Sequence, residues 1–353
     1  MKDTLNVVAT ISGGPAEKLG ILPGDKIVSV DGNSIAGVGL KNSDVREKLM
    51  GELGSKVKVE VKRKRVNKKL TFNITRDKIP VFSVDSRYMI DDEIGYIKLN
   101  SFSRTTVYEV RSAIRELKGQ GMKSLIFDLQ GNGGGLLDAA HKLADEFLSD
   151  EKLIVYSEGK AQPRNNLRAG IRGNFEKGKL IVLTDEYSAS ASEILSGAIQ
   201  DWDRGLVVGR RTFGKGLVQR PLPLPFGSQL KVTISRYFTP SGRCIQATDY
   251  KKRSVDGVAR KFKKEEYKAY KTKNGRTVYD GGGVSPDIYY DKDKESNFIE
   301  NLISSDLVFD FTNNYSYNNT VKDVESFKLS DKEFNNFKEF SYKSVYFSKG
   351  KIL

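Results

Sequence analysis

The sequence predicts a mixed α/β chain of two or three folding units, and three observations carry that reading. The chain has 353 residues, beyond the roughly 100 to 200 of an ordinary single domain. From Val81 onward, strand-like apolar runs alternate with helix-like ones, the order that builds an α/β core. From Ser296 to Leu353, Phe, Tyr, Asn and Lys mix in short helical patterns instead. The expected units are residues 1–79, 80–292 and 293–353, the last a small C-terminal helical region.

In order along the chain, Leu5, Val7 and Val8 open an apolar segment that breaks at Gly13-Gly14-Pro15. Ala16 to Ile21 then reads as a short helix ended by Gly20. Pro23-Gly24-Asp25 turns into a strand at Lys26 to Val30, and Asp31-Gly32 makes a second turn. A helix around Asp44 to Met50 follows, then a strand whose Val57, Val59 and Val61 alternate. In the second unit, Ile94 to Leu99 reads as strand and Thr106 to Leu117 as helix. Leu125-Ile126-Phe127 is a buried strand. Helix Leu136 to Leu148 and strands Leu153 to Tyr156 and Leu180 to Leu183 continue the series. Ser190 to Trp202 is helical, Leu206 to Val208 is strand, and Val218 to Phe238 reads as β-hairpins around Pro225-Phe226-Gly227. The basic stretch from Tyr250 to Asn274 is expected to be a surface insertion.

Composition narrows the function. Hydrophobic residues make up 38% and charged residues 29%, and no run approaches the roughly 18 to 20 apolar residues of a membrane helix. The formal charge is +14, concentrated in Lys56 to Lys78 and Lys251 to Arg276. Neither stretch interleaves basic and aromatic residues as a nucleic-acid module does, so a solvated basic surface and no nucleic-acid partner are expected, with attraction to anionic partners the weaker reading. Cys244 is the sole cysteine, which excludes an internal disulfide. Met1 to Asn6 lack the apolar core of a signal peptide, so no export signal is expected from these residues. With one histidine and one cysteine, a catalytic zinc site is not expected.

Three segments carry chemistry. Thr184 to Glu193 follows a buried strand and opens a helix, so Ser190 can sit on a sharp corner with free N–H groups beside it. Ser190 and Glu193 equally fit a helix-capping box. Arg211 to Gln219, if extended, turns Lys215, Leu217 and Gln219 to one side. Glycines flank Lys215 and let another backbone approach. A lysine held among apolar groups has its neutral form favoured, as a general base requires, and Gln219 can orient its amine. An exposed lysine in a glycine turn fits the same residues. Asp128 to Leu137 is a glycine loop between strand and helix, suited to an oxyanion or a passing peptide, or to a phosphate. His141 is the one histidine, so a Ser-His-Asp triad would have to use it. It reads instead as a packed helix residue, which leaves a Ser-Lys dyad as the serine chemistry.

In this order the segments closely resemble the C-terminal processing peptidases, or tail-specific proteases. The likeness runs through Asp128-Leu129-Gln130, Gly134-Gly135-Leu136-Leu137, Ser188 to Ile194, Gln200-Asp201, Thr212 to Gly216, Val218-Gln219, Tyr237 to Arg243 and Gly281 to Asp287. It spans about residues 5 to 290. The run Gly14 to Ile27 resembles the PDZ domain of bacterial proteases. The resemblance implies Ser190 as nucleophile, Lys215 as general base and Gln219 as its support. The oxyanion hole falls on the N–H groups of Ala191 and of the Gly134, Gly135 pair. Asp201 matches a recurrent aspartate with an expected structural role. A crotonase-like and ClpP-like αβ core is implied, with no cofactor, protein C-terminal tails or unfolded proteins as substrates, and the bacterial periplasm or cell envelope as location. Gln130 and Gly133 stand where the family commonly has arginine and proline. The PDZ-like unit is expected to be N-terminally incomplete, because no carboxylate-binding loop or ligand strand precedes Leu5. Two other readings stay open, a non-catalytic PDZ scaffolding protein and an acyl-CoA enzyme of the related fold. The latter needs no Ser190–Lys215 pair.

Overall fold

In a computed structural model of the chain the described residues are 4–79, 81–149, 151–170, 173–291, 297–321, 323 and 326–349. They divide into two compact units, one made of Met1–Val81 with Lys292–Leu353 and the other of Phe82–Asp291. The first unit opens with β1 (Leu5–Asn6), α1 (Pro15–Lys18), β2 (Lys26–Val30), β3 (Asn33–Ser34), α2 (Asn42–Leu49), β4 (Lys56–Lys62) and β5 (Leu70–Thr75). Its antiparallel sheet runs β1-β2-β4-β5, with β3 on β2. The alternation in β4 does what a period of two must: Val57, Val59 and Val61 point inward and are buried. With Ile27, Val30 and Ile35 they form the core of this unit. Burying each such valine contributes about 1.5 to 3 kcal/mol.

The second unit continues with β6 (Val84–Met89), β7 (Ile94–Leu99), α3 (Thr106–Gly119), β8 (Ser124–Asp128), α4 (Leu137–Ala144), β9 (Leu153–Gly159) and β10 (Gln162–Arg168). Then come β11 (Lys179–Thr184), α5 (Ala191–Asp201), β12 (Leu206–Gly209), β13 (Leu217–Pro223) and β14 (Gln229–Phe238). It ends with β15 (Thr248–Arg253), β16 (Ala259–Lys261), β17 (Ala269–Lys271), β18 (Thr277–Tyr279) and β19 (Ile288–Tyr289). One sheet runs β19-β12-β11-β8-β7-β6, parallel except for the β6–β7 pair. A second, antiparallel sheet runs β10-β9-β14-β13. The mixed α/β expectation therefore holds.

Helix α3 buries Val110, Ala113, Ile114 and Leu117, one face at helical spacing, and leaves Tyr108, Arg111 and Arg115 on the other. Every residue of α5 is buried. A helix enclosed on all sides is a rigid base for whatever its ends carry. The stretch expected as a surface insertion is largely exposed and holds two small hairpins, β15–β16 and β17–β18. It is stitched to the core where Lys273 N–H donates to Asp201 O at 2.8 Å and Asn274 N–H to Asp203 Oδ2 at 2.6 Å. The first unit closes with α6 (Asn297–Ser304), α7 (Leu307–Ser316) and α8 (Asp331–Lys349). In it Phe311 meets Phe337 edge to face at 5.0 Å between ring centroids. No described helix is long and apolar enough to cross a membrane.

Candidate active site

Strand β11 delivers the chain to a sharp corner before α5, and Ser190 is the corner. Its φ of 58° and ψ of −110° put a non-glycine residue in a sparsely populated conformation, which costs about 1 to 3 kcal/mol and persists only when the surroundings over-determine it. They do. Ser188 Oγ donates to Leu129 O at 2.8 Å, and Ala189 N–H to Asn132 O at 3.0 Å. The buried Asp185 carboxylate takes the N–H groups of Gly131, Tyr187 and Ser188, each at 3.0 Å. The corner is thus latched to the glycine loop. Ala191 begins α5, and its N–H makes no hydrogen bond among the described residues.

The glycine loop is built from β8 upward. Asp128 accepts from Tyr96 Oη at 2.6 Å, Lys98 Nζ at 3.0 Å and Gln130 N–H at 2.7 Å. Burial and this carboxylate push the Tyr96 phenol well above its usual range. Asn132, fully buried, donates to Leu99 O at 2.8 Å and accepts Gly134 N–H at 2.9 Å. At Gly134, φ is +100° and a Cβ would stand 2.6 Å from Ala189 O. The loop can lie against the Ser190 corner only because this residue has no side chain. Gly134 N–H is spent on Asn132, so Gly135 is the member of the pair whose N–H is free among the described residues.

Lys215 reaches the same place from the segment before β13. Ala247 N–H donates to Gly214 O at 2.8 Å, and Gly216 N–H to Gln246 Oε1 at 2.8 Å. The flanking glycines thus admit a second backbone, as the sequence suggests. Ser190, Ala191, Gly135, Lys215 and Gln219 line one pocket of about 300 Å³, walled by Leu136, Leu137, Ile194, Leu217, Val218 and Tyr237. Strict alternation would turn Val218 away, but a register shift between Val218 and Gln219 brings it into the wall. Ser190 and Lys215 are half-buried and Gln219 is exposed. No hydrogen bond joins their side chains among the described residues. The pocket gathers the three residues without a hydrogen bond between Ser190 and Lys215.

Residues 93–253 match peptidase family S41, residues 7–63 a PDZ domain, and residues 298–349 the C-terminal helical domain of probable PDZ-proteases. The chain belongs to peptidase family S41. It is 33% identical over 281 residues to the carboxy-terminal-processing protease of Bartonella bacilliformis, covering 78% of this chain and 63% of that one. The carboxyl-terminal-processing protease of a Picosynechococcus species is 36% identical over 242 residues, covering 67% and 57%. Carboxy-terminal processing protease CtpA of Bacillus subtilis is 36% identical over 239 residues, covering 68% and 50%. The chain thus spans about half to two thirds of the length of these relatives.

Two buried residues of this S41 domain join the serine corner to the lysine segment. Glu193 accepts Ser190 N–H and Lys215 N–H on Oε2, and Gly214 N–H and the Thr212 hydroxyl on Oε1, at 2.6 to 2.8 Å. Burial raises its carboxyl above the ordinary 4.5, against the opposing pull of those donors. Tyr237 Oη contacts Lys215 O and lies 3.2 Å from Ser190 O, and desolvation holds its proton well beyond the usual phenol range. The capping-box spacing signals Glu193 in the sequence but not its bonds to the lysine segment. Nothing local signals Asn132 or Tyr237. His141 Nε2 donates to Arg168 O at 2.7 Å and does not line the Ser190 pocket. Asp201 sits at the far end of α5, about 16 Å of helix rise from Ser190. There it pairs with fully buried Arg243 at 2.9 Å and accepts Ser241 N–H at 2.9 Å. The ion pair is close but not aligned as a hydrogen bond, so Asp201 Oδ1 has none.

Proposed function

We propose that the chain is a serine-type endopeptidase that cuts protein C-terminal tails or unfolded proteins, with Ser190 as nucleophile and Lys215 as general base. The observation that carries the reading is the strained Ser190 corner, with the free N–H groups of Ala191 and Gly135 beside it and Lys215 in the same pocket. Ser190 Oγ attacks the peptide carbonyl carbon while Lys215 Nζ takes its proton. The developing oxyanion is met by the two N–H groups, one at the start of α5 where the helix dipole adds to it. The Lys215 proton passes to the leaving amine, and water then splits the acyl ester. With both backbones already braced, the last approach of amine to hydroxyl is left to the flexible lysine side chain, and exposed Gln219 is placed to orient it. The apolar walls Leu136, Leu137, Ile194, Leu217 and Val218 suit aliphatic substrate groups and exclude water.

An apolar cavity of about 520 Å³ in the first unit, walled by Val7, Ile11, Ile21, Ile27, Val57 and Ile74 among others, supports capture of a polypeptide end by the PDZ domain. The family resemblance extends the proposal to work in the bacterial cell envelope. Cleavage of an unstructured protein tests the central claim. Ser190→Ala and Lys215→Ala should each abolish it while the circular dichroism spectrum is unchanged. Full activity in either variant would leave a binding or scaffolding role as the better reading.

A further inference from the structure

A wider groove of the catalytic unit runs beside the Ser190 pocket. Its volume is about 770 Å³, and it lies between the outward face of α3 and the start of α4. One wall is made of Arg104, just before α3, and of Tyr108, Arg111 and Arg115, whose spacing of three and four keeps these three on one face of the helix. Lys142 of α4 stands on the other wall, and Leu136 lines both this groove and the pocket holding Ser190 and Lys215. The groove therefore adjoins the Ser190 pocket at Leu136.

Its charges are not balanced internally. Glu146 holds Arg111 at 2.5 Å, and Lys142 holds Asp138, the acid on this wall, at 2.7 Å. The side chains of Arg104 and Arg115 make no ion pair or hydrogen bond among the described residues. Tyr108 is 72% exposed and Leu136 46%. Exposed aromatic and aliphatic surface set among unpaired arginines has the chemistry of a polypeptide-binding wall. A whole-chain charge of +14 attracts the same class of partner from a distance.

We propose that this groove seats an acidic stretch of the substrate polypeptide on one side of the cleaved bond, with Arg104 and Arg115 setting that preference. The inference rests on the peptidase reading of Ser190. Its test uses the full chain and three unstructured reporter polypeptides that share one cleaved sequence. They carry a glutamate block before it, after it or not at all. A block on one side should lower KM roughly three- to tenfold at unchanged kcat, the scale of two exposed ion pairs. The gain should vanish at about 1 M salt, where the screening length is about 3 Å. It should also vanish in Arg104→Glu/Arg115→Glu, with the neutral polypeptide still cut at the wild-type rate. A double variant that keeps the gain overturns the proposal. So does an equal gain from either side, which would mark long-range attraction without a seat. If wild type cuts none of the three, the peptidase reading fails separately. Fluorescence anisotropy of the glutamate-bearing polypeptide, lost or kept in the double variant, then decides the groove.

Discussion

At the scale of single residues, Glu193 sets the geometry of the site more than either member of the proposed dyad. Four donors converge on a carboxylate with no exposed surface. Glu193→Gln keeps the size but turns an NH2 toward one pair of them, leaving two buried donors unmet at about 1 to 3 kcal/mol each. The expected outcome is a loss of about 2 to 5 kcal/mol of stability in urea titrations, and a fall in kcat larger than any rise in KM. The pH dependence has a definite sign. A carboxyl raised above 4.5 in the folded state binds more protons there than in the unfolded chain. Its contribution is full below 4.5 and is lost as pH rises through the raised value. The wild-type advantage over Glu193→Gln should therefore shrink across that window and level off above it. A difference that grew with pH would contradict the buried, raised carboxyl.

At the scale of elements, α5 works through its two ends. The N-terminal end carries Ser190 and the Ala191 N–H. The C-terminal end is fixed by Asp201 on Arg243, both fully buried. Asp201→Ala leaves a buried guanidinium without its counter-ion, though Gln200 Oε1 and Tyr279 O still accept from it, and breaking such a pair costs about 3 to 5 kcal/mol. Thermal unfolding should show it as a clear drop in Tm, with residual activity at low temperature because the site lies a helix length away. At the near end, Gly134→Ala should abolish activity outright, since its Cβ would displace Ala189 O and the Ser190 corner with it. These elements were legible in the sequence to different degrees. β4 and α5 announce themselves by period and by an apolar run. β10, Gln162–Arg168, is polar and mostly exposed, so no alternation marks it, and the insertion hairpins hide for the same reason. In the site, Ser190, Lys215 and the glycine pair are each ambiguous read locally, and their joint occurrence in the order of the family picks them out. Asn132 and Tyr237 do not, because their partners lie 33 residues away at Leu99 and 47 and 22 away at Ser190 and Lys215. Only folding brings them together.

At the scale of the whole molecule, the division into units makes the part with the proposed active site separable. Ser190, Lys215, Gln219, the glycine loop, Glu193 and Tyr237 all fall within Phe82–Asp291. So does its continuous core, from Val84 to Val284. The boundaries fall beside β6 and β19, the two outer strands of the six-stranded sheet, so excision cuts no central strand and breaks no site contact. A chain of residues 82–291, about 210 residues long, is large enough to bury a core of its own. It should unfold in one cooperative transition and cut a short unstructured peptide within a few-fold of the full chain. Cleavage of a protein presented by its C-terminal end should fall further, because the PDZ domain that would capture that end is gone. The two substrates must be compared on the same preparation. Equal loss on both would mean that the catalytic unit needs the rest of the chain to hold its site. Equal retention on both would mean that the PDZ domain plays no part in capture.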